Sequence, residues 1–151
     1  SPFLPALAGR GFRDLTAVDL SAAALDALAR AAGEPGAVRT EVADVRTWAP
    51  GRAYGLWHDR AVLHFVVAEE DRAAYLATLA TAVPQGVAIV GTFAPDGPED
   101  CPGLPVHRYG QGDLTAALAA AGFVAVEERR EVHTTPWGAE QPFTWVAARR
   151  G

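Results

Sequence analysis

Four aspartates stand where apolar runs end: Asp19 after run 15–18, Asp44 after 38–42, Asp59 after 54–57 and Asp96 after the longer run 87–93. A carboxylate in such a place accepts hydrogen bonds. In an open α/β sheet, the acid that ends the second strand commonly takes the hydroxyls of a nucleotide ribose. Taken one at a time, each acid has a plainer use. Asp19 can sit favourably on a helix dipole with Ser21 as N-cap, Asp44 can serve a turn, and Asp59 with Arg60 can form an exposed ion pair. In order, and at successive strand ends, they point together to a nucleotide-like ligand along one edge of a sheet.

Other reactive residue types add less. The histidines are His58, His64, His107 and His133, and none is spaced from another histidine or from a cysteine as in a metal site, so no metal is expected. His64 is the candidate catalytic residue, because it follows a strand and can face the reacting atoms. Cys101 is a single cysteine in a Pro/Gly loop and carries no disulfide. The net charge of -5 and the scattered arginines leave no footprint for nucleic acid, and Trp48, Trp57, Trp137 and Trp145 are read as core or pocket wall. No run approaches the roughly 18 apolar residues of a membrane span. The first ten residues lack a basic leader, so a cytoplasmic protein without a membrane partner is expected.

The elements that must position these residues follow from hydrophobic period and punctuation. Leu25, Leu28, Ala29 and Ala32 recur at helical spacing after Ser21 and end at Gly33. Glu69, Glu70 and Asp71 supply an acidic first turn to a helix whose stripe is Tyr75, Leu76, Leu79 and Val83, stopped by Pro84. Run 87–93 is apolar on both faces, as in a fully buried strand. The segment 94–109 holds four prolines and two glycines and is long for a connection, which marks it as functional. Asp113 can cap a last helix, 114–121, and two final strands, one from Phe123 to Val132 and one over 143–147, should pair antiparallel across the turn-rich segment 133–142. Alternating strands and helices predict a Rossmann-like α/β fold whose mostly parallel sheet ends in an antiparallel strand.

With these elements in place, the motifs resemble those of class I S-adenosylmethionine-dependent methyltransferases over nearly the whole chain. Ala-Val-Asp-Leu-Ser at 17–21, Ala-Asp-Val at 43–45 and Leu-Trp-His-Asp-Arg-Ala-Val-Leu-His-Phe at 56–65 look like the second, third and fourth cofactor motifs of that family. Pro84-Gln85-Gly86 is similar to its Pro-Gly-Gly turn, with Gln in place of the middle Gly. The resemblance implies S-adenosyl-L-methionine as cofactor. By it, Asp19, with Leu20 and Ser21, binds the ribose, Asp44 the adenine amino group with Val45 packing nearby, and Asp59, Arg60 and Ala61 flank the methionine end. His64 then faces the transferred methyl. Loops 94–109 and 133–142 form the acceptor pocket, with Tyr109 and Trp137 as apolar wall and His107 and Arg108 as polar contacts, for a small-molecule or protein methyl acceptor.

The family's Gly-x-Gly motif has no counterpart here. It lies about 20 residues before the ribose acid, which places it at or just before Ser1. Pro2, Phe3, Leu4 and Leu7 look like the helix that follows it. The expectation is therefore a single methyltransferase domain over 1–151, incomplete at its N-terminus, with the first strand absent. Two rival readings stay open: an NAD(P)-dependent Rossmann oxidoreductase, and a noncatalytic methyltransferase-like binding module. Against the former, no tyrosine has a lysine four residues later, since the chain has no lysine.

Overall fold

A computed structural model describes residues 1–151. The chain forms two compact units, 1–48 and 49–151. The first unit runs α1 (Phe3–Gly9), β1 (Thr16–Asp19), α2 (Ala22–Ala31) and β2 (Arg39–Val42). Pro5 lies in the first turn of α1, where its missing N–H has no intrahelical acceptor to lose. β1 and β2 pair in parallel, from Thr16 opposite Arg39 to Asp19 opposite Val42. Ser21 begins α2 in extended backbone, its hydroxyl accepting the Ala24 N–H at 3.2 Å. Gly33, at φ +83°, leaves the helix in the left-handed region that its missing Cβ permits. Ala17, Leu25 and Val38 are the core, with Leu4, Leu15, Leu28 and Ala32 packed around them.

The second unit runs β3 (Leu56–Arg60), a 3-10 turn (Leu63–Phe65), α3 (Glu69–Ala82), β4 (Gly86–Phe93), α4 (Gln111–Ala120), β5 (Val124–Thr134) and β6 (Glu140–Arg150). Its sheet has the order β3-β4-β6-β5, with β3 parallel to β4 and both pairs made by β6 antiparallel. The hairpin therefore inserts its second strand against β4 and leaves β5 at the edge. β5 carries the charged run Glu127 to Glu131 and a bulge between Ala125 and Glu127, the usual protection of an open edge. β1 and β2 form a separate two-stranded sheet in the first unit.

Tyr75, Thr78, Leu79 and Ala82 are buried along one stripe of α3. α4 buries Leu114 and Leu118 and packs on β5 and β6. Two glycines of β4 leave no room for a Cβ, and at Gly91 it would lie 2.7 Å from the Trp145 ring. Gly86 begins β4 at φ +144°, where a Cβ would lie 2.2 Å from the Gly55 carbonyl oxygen. The Pro-Gln-Gly turn can therefore spare its middle glycine but not its last. No helix is long and apolar enough to cross a membrane.

Three local readings change. The hairpin strands are longer than expected, since Thr134 pairs with Glu140, and only 135–139 remains as turn. Cross-strand pairing carries through Pro142, whose carbonyl accepts the Ala94 N–H at 2.9 Å, so half of segment 133–142 is sheet rather than pocket loop. Asp113 caps α4 from within its first turn, accepting the Gly110 N–H at 3.1 Å, with Gly110 as N-cap.

Candidate functional site

The four strand-end acids have four different environments. Asp19 is the last residue of β1 and is exposed. Its Oδ1 accepts the Ser21 N–H at 2.8 Å, which turns the chain into α2, and its Oδ2 makes no hydrogen bond. The next residue, Leu20, is 72% exposed, an apolar side chain beside a carboxylate at the N-terminus of a helix.

Asp44 lies two residues past β2, and its carboxylate is held by Arg46. The guanidinium reaches Oδ2 at 2.6 Å, and the Arg46 N–H reaches Oδ1 at 2.9 Å. These hydrogen bonds keep the carboxyl below the usual carboxylate range. Val45 follows, half-buried. Asp96 is also paired, with Arg130 of β5 at 2.8 Å, and its acidity is raised by that contact.

Asp59 occupies the penultimate position of β3, but its carboxylate is turned inward. Oδ1 accepts the Val62 N–H at 2.9 Å, and Oδ2 accepts the Leu63 N–H at 3.0 Å and the Tyr75 hydroxyl at 2.6 Å. Tyr75 in turn accepts from the Trp57 indole at 3.1 Å. Burial lifts the Asp59 pKa to about 6 against the pull of these donors, and the Tyr75 hydroxyl is raised well above its ordinary value. This clasp folds the chain after β3 into a tight turn. Ala61 there has φ 70°, a conformation costly for a residue with a Cβ, and is fixed by its N–H bond to the Gly91 carbonyl at 2.9 Å. The Arg60 guanidinium lies over the Phe143 ring, 5.2 Å from its centre.

The turn delivers His64 to the ends of β3 and β4. The segment 94–109 then lies across it as a strap bonded at both ends. His107 donates its N–H to the His64 carbonyl at 2.7 Å, Tyr109 donates to the Phe93 carbonyl at 2.9 Å, and Thr144 donates its hydroxyl to the Tyr109 carbonyl at 2.7 Å. His107 and Tyr109 meet edge to face, 4.6 Å between centres. Burial raises the Tyr109 pKa to about 12 and lowers that of His107, with Arg72 adding to the latter. Within the strap, Arg108 turns back to the Gly97 carbonyl at 3.2 Å and to Glu99 at 3.6 Å.

Of the residues expected around an acceptor pocket, the structure brings His64, His107 and Tyr109 together. Arg108 is spent inside the strap. Trp137 stands 80% exposed on the hairpin turn, where it walls nothing. Sequence reasoning missed Tyr75 as a polar residue, having read it only as part of an apolar stripe. A buried tyrosine hydroxyl needs a partner, and that requirement was its signal. No cluster of three or more His, Cys, Asp or Glu side chains is placed to hold a metal ion.

No family model and no curated protein sequence matches the chain. Solved structures do. The 1,6-didemethyltoxoflavin N1-methyltransferase of Burkholderia thailandensis, crystallised with 1,6-didemethyltoxoflavin and S-adenosylhomocysteine, superposes with a TM-score of 0.71 at 25% identity, over 93% of this chain and 62% of its own. A SAM-dependent methyltransferase from Methanosarcina mazei gives 0.78 at 15% identity, over 96% and 85%. The N-methyltransferase NodS of Bradyrhizobium japonicum, with S-adenosylhomocysteine, gives 0.70 at 13%, over 90% and 66%. The chain thus spans less than two thirds of the length of the toxoflavin enzyme. These likenesses show its fold, which is that of the S-adenosylmethionine-dependent methyltransferases.

Proposed function

We propose that this chain carries the cofactor- and acceptor-binding framework of an S-adenosylmethionine-dependent methyltransferase acting on a small molecule. The observation that carries the reading is Asp19, a strand-end carboxylate with one oxygen held by its own turn and the other free for a ribose hydroxyl. Support for a small acceptor comes from the toxoflavin enzyme, whose bound ligand is one. Neither a nicotinamide oxidoreductase nor a noncatalytic module is favoured by such neighbours.

When bound, S-adenosylmethionine supplies an activated methyl on sulfur. The protein's share is alignment and exclusion of water, so few reactive side chains are needed. In the first unit, Asp19 accepts ribose hydrogen bonds, Leu20 and Val45 offer apolar contact, Ser21 shapes the turn, and Asp44 accepts the adenine amino group once Arg46 yields a lone pair. In the second unit, Arg60 and Ala61 are the part of the β3 turn proposed for the methionine end, with the Asp59 carboxylate holding that turn from beneath. His64, His107 and Tyr109 face the acceptor. Calorimetric titration with S-adenosylhomocysteine tests the reading: Asp19→Ala should bind more weakly while remaining folded, and an unchanged dissociation constant would leave Asp19 as a helix cap only.

A further inference from the structure

His64 has no exposed surface, yet its ring is only half satisfied. The Phe93 N–H donates to Nδ1 at 3.0 Å, so the neutral imidazole carries its proton on Nε2. That Nε2–H meets no acceptor. The ring cannot turn to find one at low cost. It is stacked on Phe93 at 4.1 Å and 18°, met edgewise by Phe65 at 4.5 Å, and its backbone is tied to the strap through His107. A buried donor without a partner costs about 1 to 3 kcal/mol and is rare in native folds. This one stands at the carboxyl ends of β3 and β4, the edge at which parallel α/β sheets bind ligands.

We infer that His64 is a specificity-determining donor, its Nε2–H taking a carbonyl oxygen or an unprotonated ring nitrogen of the methyl acceptor. The inference deepens the methyltransferase reading and rests on it. His64 is then no general base: burial holds its pKa near about 4, and its Nδ1 lone pair is occupied by Phe93. The aromatic surroundings, Phe65, Phe93 and Phe143, suit a flat neutral molecule, and an ammonium group has no lone pair to offer the donor. Phe65, 38% exposed, is the most exposed member of this aromatic cluster.

Nitrogen-15 NMR of the chain, with His64 assigned by the signal lost in His64→Gln, tests this with two flat probes, 4-quinolone with a carbonyl acceptor and indole without one. The expected result is an Nε2–H tautomer that does not titrate between about pH 5 and 9, as a pKa near about 4 requires. Its proton should move downfield with 4-quinolone and stay put with indole. His64→Leu should weaken 4-quinolone binding about tenfold, the value of one neutral hydrogen bond, while His64→Gln, which keeps a donor, should largely retain it. A proton on Nδ1, a titration near neutral pH, or the same response to both probes, as a resident water on Nε2 would give, overturns the inference. S-adenosylhomocysteine is titrated separately. Its failure to bind sinks the methyltransferase reading, whereas its binding with no 4-quinolone response sinks the role of His64 alone.

Discussion

At the end of β1, Asp19 keeps one carboxylate oxygen free beside the exposed Leu20, while near the end of β3, Asp59 is 4% exposed and accepts from three donors. Both are aspartates at the carboxyl end of a parallel strand. The difference lies in which side of the strand each faces and what packs there. Asp59 shares its sheet face with its register partner Val90 and meets Tyr75 of α3, so its hydrogen bonds are internal. Asp19 ends a four-residue strand, and the only hydrogen bond of its carboxylate is to its own turn. One acid is therefore available to a ligand, and the other stabilises the turn that presents His64.

The largest effect should come from breaking the inner acid. Asp59→Ala leaves two backbone N–H groups and the Tyr75 hydroxyl without an acceptor, and thermal or urea unfolding should show a loss of about 3 kcal/mol or more. A loss under about 1 kcal/mol would mean the clasp is replaceable by water. Asp19→Ala should do the reverse. Its stability should change little, and affinity for S-adenosylhomocysteine should fall by about 1 to 3 kcal/mol, the value of a charge-assisted acceptor.

A smaller effect sharpens the comparison through pH. The folded-state pKa of Asp59, about 6, lies above its ordinary value of 3.8, so the folded protein binds a proton there more readily than the unfolded chain. The stability from this group is fully present below about pH 4 and is lost as pH rises through about 6. Between pH 7.5 and 5, the wild type should gain about 1 kcal/mol relative to Asp59→Asn. A parallel pair of stability curves would show that Asp59 is solvated in the fold. The smallest effect is expected at Asp44. Arg46→Gln removes the guanidinium that occupies its carboxylate, should leave stability within about 0.5 kcal/mol, and should tighten S-adenosylhomocysteine binding by about two- to fivefold if Asp44 takes the adenine amino group. Weaker binding would mean that Arg46 itself contacts the ligand.

Much of the architecture was legible before any coordinates. Ser21 and Gly33 bracket α2, Glu69 to Asp71 open α3, and the doubly apolar run 87–93 is β4, because caps, dipoles and periodicity act over a few residues. The antiparallel end of the sheet was legible too, from two strands joined by a turn too short for a crossover. The free state of Asp19 also follows from local sequence, since its partner Ser21 is two residues away.

What the linear order could not decide is which of the chemically capable residues remain available. Tyr75, 16 residues from Asp59, consumes one acid; Arg130, 34 residues from Asp96, pairs another; and the Phe93 N–H, 29 residues from His64, sets the proton on its ring. Each of these outcomes is a long-range contact created when β3, β4, β6 and β5 align and α3 closes on the sheet. Periodicity places a side chain on a face, but only the packing of that face determines whether the side chain meets a partner or is left to bind one.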